Sequence, residues 1–342
     1  TTFYDSLRTD RPLVGRKSAV LRIEAARQEA RAGATWLRIE GEPGVGRSRL
    51  LAEMIRRFAD QGDLIVGAGP HSSGAPVPYG ALHPVVSALL DTDAELRSLV
   101  TRADLFPDGL SRAGLEELSN PRGLVTLTGG SDRAAAVAAT LAAAVRDALR
   151  RERPSRLVLA LDDVERWDEL SQRALSRLPG LLLEAPVLVL SVGSPLGLDH
   201  ATSRVVNLEG FSQEEAEEFL RGEPSPPSSA NPPSRTTRRL LPLYLDQLLS
   251  IGESQTEDSL PLRLADAVAH RVDRLSLQAR RVLQAASVLG QRCAVLELSD
   301  LVTAADFDEA LSELVKKGFI SRVGASVDII HPLVRELVET SI

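Results

Sequence analysis

The chain has 342 residues, 43% of them hydrophobic, and a formal net charge of −7, which suffices for two or three domains with sizeable cores. The acidic balance argues against extended nucleic-acid binding. A single cysteine, Cys293, excludes an internal disulfide or a cysteine-based zinc cluster and suits a reducing, cytoplasmic setting. Neither a secretory leader nor an apolar run of roughly 18 residues shows, so neither secretion nor membrane spanning is expected. The start at Thr1-Thr2 without methionine reads as a segment of a longer protein.

Residues 35–40 (TWLRIE) read as a strand. Leu50, Leu51, Met54, Ile55 and Phe58 recur at helical spacing just beyond. Between them, Gly41-Glu42-Pro43-Gly44-Val45-Gly46-Arg47-Ser48 fits the phosphate-loop pattern G-x-x-x-x-G-K-[ST] at every place but one. Gly41, Gly44 and Gly46 permit backbone angles that a Cβ would forbid, so successive N–H groups from Gly44 through Val45, Gly46 and Arg47 to Arg49 can turn onto phosphate oxygens. The following helix adds its positive N-terminal end, and Ser48 is placed to hold Mg²⁺. The misfit is Arg47, where lysine normally reaches the β- and γ-phosphates as a compact charge. Arginine's longer planar fork cannot enter that slot unchanged. Only Lys17, Lys316 and Lys317 are lysines, so arginine supplies nearly all of the 40 basic residues. Such drift is harmless on a surface but not at a buried or bidentate site, and Arg47 reads as a loss of catalytic capacity.

Residues 63–67, 156–161 and 186–192 are short, continuous apolar runs, as in a parallel sheet covered on both faces. A Pro/Gly-punctuated insertion fills residues 70–130, with a helix expected over 84–90. Ser131 is expected to cap an Ala-rich helix over 133–150, which Pro154 closes off. Residues 157–163 (LVLALDD) have the form of a Walker B strand. An apolar run carries two carboxylates to the sheet edge roughly 115 residues after the phosphate loop. Asp162 would hold Mg²⁺, and Asp163 would polarise an attacking water.

A Pro/Ser-rich stretch at 222–237 reads as a mobile tether. Amphipathic helices are expected over 262–275, 279–289 and 306–317, the last with Phe307, Ala310, Leu311 and Leu314 on one face. A hairpin around Gly324 and a final helix near Pro332 follow, and three helices with a hairpin describe a winged helix. The resulting division is a P-loop domain over 1–206, a helical lid over 207–260 and a winged-helix domain over 261–342. The fold class expected is α/β P-loop NTPase with a parallel, AAA-like (ASCE) sheet, followed by that lid and winged helix.

With both motifs placed, the chain resembles the STAND branch of AAA-like ATPases (signal-transduction ATPases with numerous domains), and in particular their bacterial LuxR-type and kinase- or cyclase-linked regulators. Leu13-Val14-Gly15-Arg16 looks like the family's N-terminal box, which implies that Val14 and Arg16 lie near the adenine. Pro78-Tyr79-Gly80-Ala81-Leu82 resembles its Pro-Tyr segment. Asp162-Asp163 with Trp167 and Asp168 resembles the Walker B extension, the Trp shifted by one place. Residues 282–290, 311–320 and 331–336 look like its winged helix. His331 in Ile330-His331-Pro332-Leu333 is similar to the Met-His-Asp histidine that contacts the β-phosphate of ADP. Pro332 replaces the acidic residue there. Trp36 and Trp167 read as packing residues. Two further departures join Arg47: Ser191-Val192-Gly193-Ser194 stands where a sensor-like polar residue and an arginine are usual, and Leu240-Leu241-Pro242 retains only the proline of a Gly-Asn-Pro motif, the part near the base.

The resemblance implies a regulatory switch that binds ATP or ADP with Mg²⁺, with weak or lost hydrolysis, acting on protein partners or further domains. Two alternatives stand beside it. One is a degenerate, non-enzymatic scaffold. The other is an initiator-like protein that binds DNA through its winged helix, disfavoured because Asp306, Asp308, Glu309 and Glu313 load the third helix with negative charge.

Overall fold

The computed structural model describes residues 13–70, 77–91, 105–106, 108–119, 130–198, 203–221, 239–251, 264–290, 292–302, 306–330 and 332–340. The chain divides into two compact units. Thr1–Gly41, Arg47–His71 and Pro76–Leu208 form the first; Glu42–Gly46, Ser72–Ala75 and Glu209–Ile342 form the second.

In the first unit, β1 (Thr35–Gly41), β2 (Leu64–Ala68), β3 (Leu157–Leu161), β4 (Val187–Val192) and β5 (Arg204–Leu208) make one sheet in the order β2-β3-β4-β1-β5. Every pairing in it is parallel. β3 and β4 are buried at every position, which explains their apolar runs, interrupted by a polar residue only at Ser191: a strand covered on both faces has no polar side to show. The apolar runs in the sequence place β1 to β4 within a residue or so of their observed ends. They do not reveal β5, whose Arg204 and Asn207 are exposed and interrupt the pattern.

Helices α1 (Lys17–Glu29), α2 (Arg47–Asp60), α3 (Leu82–Leu89), α4 (Gly109–Ser119), α5 (Gly130–Glu152), α6 (Glu169–Leu175) and α7 (Leu178–Leu181) accompany this sheet. α1 packs on β1 and β5, and α2 on β1 to β4. α5 begins at Gly130, so Ser131 lies inside its first turn and not ahead of it. The strong helix propensity of the Ala-rich run carries the helix back past that residue. It ends at Glu152, and Arg153 turns left-handed (φ 48°) just before Pro154, which cannot continue a helix.

Two places show how closely these layers are fitted. α4 crosses α5 at Gly114, where a Cβ would run into the Ala136 carbonyl and the Thr140 hydroxyl. Thr140 also donates to the Ser111 carbonyl at 2.6 Å. Near the start of β2 and β3, Asp63 accepts from Arg27 at 2.6 Å and from Arg156 at 3.2 Å. All three residues are buried, and the Arg27 guanidinium also lies 4.9 Å from the Phe58 ring centroid.

The second unit holds α8 (Gln213–Arg221), α9 (Pro242–Ile251), α10 (Leu264–Asp273) and α11 (Leu277–Leu289). It continues with β6 (Arg292–Ala294), α12 (Val295–Leu301), α13 (Phe307–Lys316), β7 (Ile320–Val323), β8 (Ser326–Ile329) and α14 (Pro332–Glu339). The three strands pair antiparallel as β6-β8-β7. Leu283, Leu314, Phe319 and Val327 are central to its core. Ser276 caps α11 by accepting from the Ala279 N–H at 3.1 Å. The Arg271 guanidinium stacks 4.4 Å from the Phe319 centroid and donates to the Lys317 carbonyl. The expected hairpin is β7–β8. β6 and α12 are additional: three residues of strand followed by a two-turn helix carry too short a period to read. The tether at 222–237 lies outside the described residues. On either side of it, Phe211 and Leu240 exchange backbone hydrogen bonds of 2.7 and 3.0 Å.

Gly114→Ala is expected to lower stability by about 1–3 kcal/mol by forcing α4 off α5, seen as a fall of several degrees in melting temperature. Asp63→Ala is expected to cost more, about 3–5 kcal/mol, because two buried guanidiniums lose their shared carboxylate. Denaturant titration of that variant measures it, and a loss under about 1 kcal/mol would contradict the assignment.

Candidate functional site

The sheet order decides where the site lies. Ile39 of β1 is level with Val192 of β4, and Leu161 of β3 is level with Ser191. The three strands therefore end together, and the loops leaving them emerge at one edge. In open α/β sheets, the carboxyl ends of the strands are where ligands bind.

After β1 the chain passes through Gly41 (φ 146°), Gly44 (φ 85°) and Gly46 (φ 94°), all angles that side chains other than glycine avoid. The Val45 N–H turns back to the Glu42 carbonyl at 3.1 Å. A Cβ on Gly46 would meet nothing within 4 Å, so its glycine serves the backbone angle and leaves open space beside it. Leu243, the second residue of α9, donates its N–H to the Gly44 carbonyl at 3.1 Å. That N–H is one of the helix's unpaired first-turn donors, and Pro242 ahead of it has none to give.

α2 then opens with Arg47 and Ser48. Ser48 Oγ donates to Asp162 Oδ1 at 2.8 Å, and the Asp163 N–H donates to the same oxygen at 3.1 Å. Asp162 is buried at the end of β3, and its N–H continues the ladder to the Ala68 carbonyl. Trp167 Nε1 donates to the Asp162 carbonyl at 2.9 Å, so this indole braces the Walker B turn as a packing residue. Trp36 does the same for β4, donating to Ser191 Oγ at 2.9 Å.

Asp163 sits left-handed (φ 44°), which swings the chain into a short 3₁₀ turn, Val164–Arg166. Arg47 meets this turn. Its guanidinium lies 3.5 Å from Asp163 Oδ1 and 3.1 Å from Glu165 Oε1. Asp168 then caps α6 through the Ser171 N–H and also accepts the Tyr79 N–H at 3.0 Å. The Pro-Tyr segment is thus tied to the Walker B extension through one carboxylate.

Of the residues singled out from sequence, Arg47, Ser48, Asp162 and Asp163 meet within hydrogen-bonding or ion-pair range. Arg49 succeeds them in the first turn of α2, and Val45 is buried in the loop. Val14 and Arg16 are both buried, just ahead of α1. Pro242 opens α9, and His331 lies outside the described residues. Glu165 does not stand out in the sequence: it is 118 residues from Arg47, and its only signal there is a third carboxylate just past Asp162-Asp163.

The donor set suits the ions that such a loop takes. A hydroxyl and a carboxylate 2.8 Å apart, beside glycine amides with no Cβ in the way, fit Mg²⁺ with a phosphate chain.

Residues 12–190 match the AAA ATPase domain family. The chain belongs to that family. It is accordingly a nucleotide-binding ATPase module on a parallel α/β P-loop fold. Among solved structures, it resembles a signal-transduction ATPase with a tetratricopeptide-repeat sensor from Pyrococcus horikoshii, at 17% identity and a TM-score of 0.55. That match covers 98% of this chain and 43% of the other, so the chain spans less than half of that relative's length. A Walker-type ATPase of Pyrococcus abyssi matches at 15% identity and a TM-score of 0.38, covering 97% of this AAA chain and 99% of its own. A Drosophila origin recognition complex bound to GC-rich DNA and Cdc6 matches at 11% identity and 0.26, with coverages of 96% and 97%. No curated protein matches the sequence. Among the described residues, no helix is long and apolar enough to cross a membrane.

Burial, and then the adjacent Asp163 charge, push the Asp162 carboxyl well above the ordinary carboxylate range, against the pull of the Ser48 hydrogen bond. A carboxyl raised in the folded state keeps its proton longer there than in the unfolded chain. Its contribution to stability is therefore full at acid pH and is lost as pH rises from the ordinary carboxylate range towards neutrality. Asp162→Asn, which keeps an acceptor for Ser48, is expected to raise the neutral-pH melting temperature of chelator-treated protein. It should also flatten the change in melting temperature between about pH 5 and pH 7.5. Melting curves that keep the original pH slope would contradict this account.

Proposed function

We propose that this AAA module is the nucleotide-controlled switch of a STAND-type signalling ATPase, holding ATP or ADP with slow or absent hydrolysis. One observation carries the reading: Ser48 and Asp162, from opposite ends of the motif pattern, form a hydroxyl–carboxylate pair at the sheet edge. The residues that would hold Mg²⁺ are those two, and the amides of Gly44, Val45, Gly46, Arg47, Ser48 and Arg49 would take the phosphates. A bound Mg²⁺ supplies charge neutralisation at the phosphate oxygens.

The chain's own residues favour holding over turnover. Asp163 is the group that would accept a proton from water, yet its carboxylate faces the Arg47 guanidinium at 3.5 Å. Arg47 supports the same conclusion, since its planar fork does not reproduce a lysine's point charge. In this reading Val14, Arg16 and Pro242 flank the base. His331 contacts the β-phosphate of ADP. The C-terminal helices with their three-stranded sheet serve as a winged helix, and the downstream partners are further domains of a longer cytoplasmic chain. The likeness to the P. horikoshii protein supports this at the level of fold, and its sensor repeats make such further domains a natural expectation.

The decisive measurement is the nucleotide released when purified protein is denatured. Near-stoichiometric ADP or ATP, with turnover far below that of ordinary P-loop ATPases, is the expected result. Protein that is empty and binds neither nucleotide at millimolar concentration would instead be the non-enzymatic scaffold.

A further inference from the structure

Three positions far apart in sequence meet at one place in the first unit. Position 47 is arginine in the lysine place. Position 165 is a glutamate whose Oε1 receives that arginine at 3.1 Å. Position 193, at the tip of β4, is a glycine with φ 82°, where a Cβ would lie 2.7 Å from Glu165 Oε2. The missing side chain at the end of β4 is thus the space that the Glu165 carboxylate uses. Its backbone is held as well. The 3₁₀ turn that carries Glu165 is braced by Trp167 Nε1 on the Asp162 carbonyl, and by Gln172 Nε2 on the Glu165 and Trp167 carbonyls at 3.3 and 2.8 Å. Gln172 Oε1 in turn accepts the Leu196 N–H at 3.0 Å, which ties the turn to the segment after β4.

We propose that Glu165 is the positioning residue that holds the Arg47 guanidinium at the Walker B turn, so that Glu165 and a nucleotide's terminal phosphates compete for the same cation. The proposal rests on the nucleotide-binding reading above. A guanidinium offers five donors in a rigid fork, and a carboxylate and a phosphate oxygen pair satisfy that fork equally well. A lysine in the same place could give its single ammonium to phosphate at little cost. Arg47 has to leave one carboxylate, or share itself, to do so. Nucleotides with a longer anionic tail compete better, so the pair sets how strongly the site distinguishes triphosphate from diphosphate and from monophosphate. Glu165 itself carries negative charge beside that tail and opposes it further. Because the Glu165 side chain is 48% exposed, solvent screens part of this opposition, and the effect is moderate in size.

The test uses Glu165→Gln, which keeps the shape against Gly193 and removes the charge. Affinities for ADP and ATP are measured by calorimetry on nucleotide-stripped full chain, beside a double-mutant cycle of Arg47→Met and Glu165→Gln read by thermal unfolding without nucleotide. Tighter binding of both nucleotides, by about three- to tenfold and more for ATP than ADP, is expected, together with non-additive melting shifts that shrink in high salt. A brace that was merely structural would weaken binding when altered, and weaker binding by the variant overturns the proposal. So does equal binding by both proteins, which leaves the nucleotide reading intact. Additive melting shifts remove the ion pair and the proposal with it. If neither protein binds ADP or ATP, the nucleotide reading and the competition both fall, and the cycle then reports an ion pair of structural value alone.

Discussion

A buried carboxylate at the end of a buried strand is the constraint on which the rest of the first unit turns. Asp162 comes after five residues of β3 that are covered on both faces, so its charge is carried to the edge of the sheet with little water around it. An unpaired carboxylate there would be costly. The structure answers with the Ser48 hydroxyl and the Asp163 N–H on one oxygen, and with an indole on the main-chain carbonyl behind it. Each of those partners fixes something else: Ser48 the start of α2, Asp163 a left-handed turn, Trp167 the descent into α6. The same arrangement that makes the carboxylate tolerable makes it a natural ligand for a hard cation.

Around that point the chain has exchanged one set of charges for another. In an ordinary phosphate loop, a lysine projects toward phosphate and the Walker B acid is left to act on water. Here the cation at Arg47 is shared between Asp163 and Glu165, and the tip of β4 has no side chain to offer. These are local, mutually consistent arrangements, and the holding role proposed above rests on them. Within the second unit, which includes Glu42–Gly46, the Leu243 N–H of α9 donates to the Gly44 carbonyl.

Much of this is legible in the residues. β1 to β4 announce themselves because strands buried on both faces are continuous apolar runs, and glycines at 41, 44 and 46 are needed where the backbone turns left-handed. The second unit's α11 and α13 show through their apolar stripes and the polar residues ending them. β5 is hidden by exposed polar positions, β6 by its three-residue length, and α12 by a pattern of barely two turns. Ser131 misleads about the start of α5, because a serine near a helix start looks like a cap whether or not the helix runs through it.

The sequence by itself determined the order of strand, glycine loop, helix and acidic strand, because backbone angles and apolar periodicity are local properties that residue types impose directly. It also determined that Arg47 has the wrong shape for its place. Which carboxylates claim that arginine was decided only by the tertiary structure. Glu165 comes within 3.1 Å of it across 118 residues because β4 lies between β1 and β3 and brings their ends level. Distance along the chain carries no trace of that meeting. It arises from strand order, which is settled by the packing of the whole sheet.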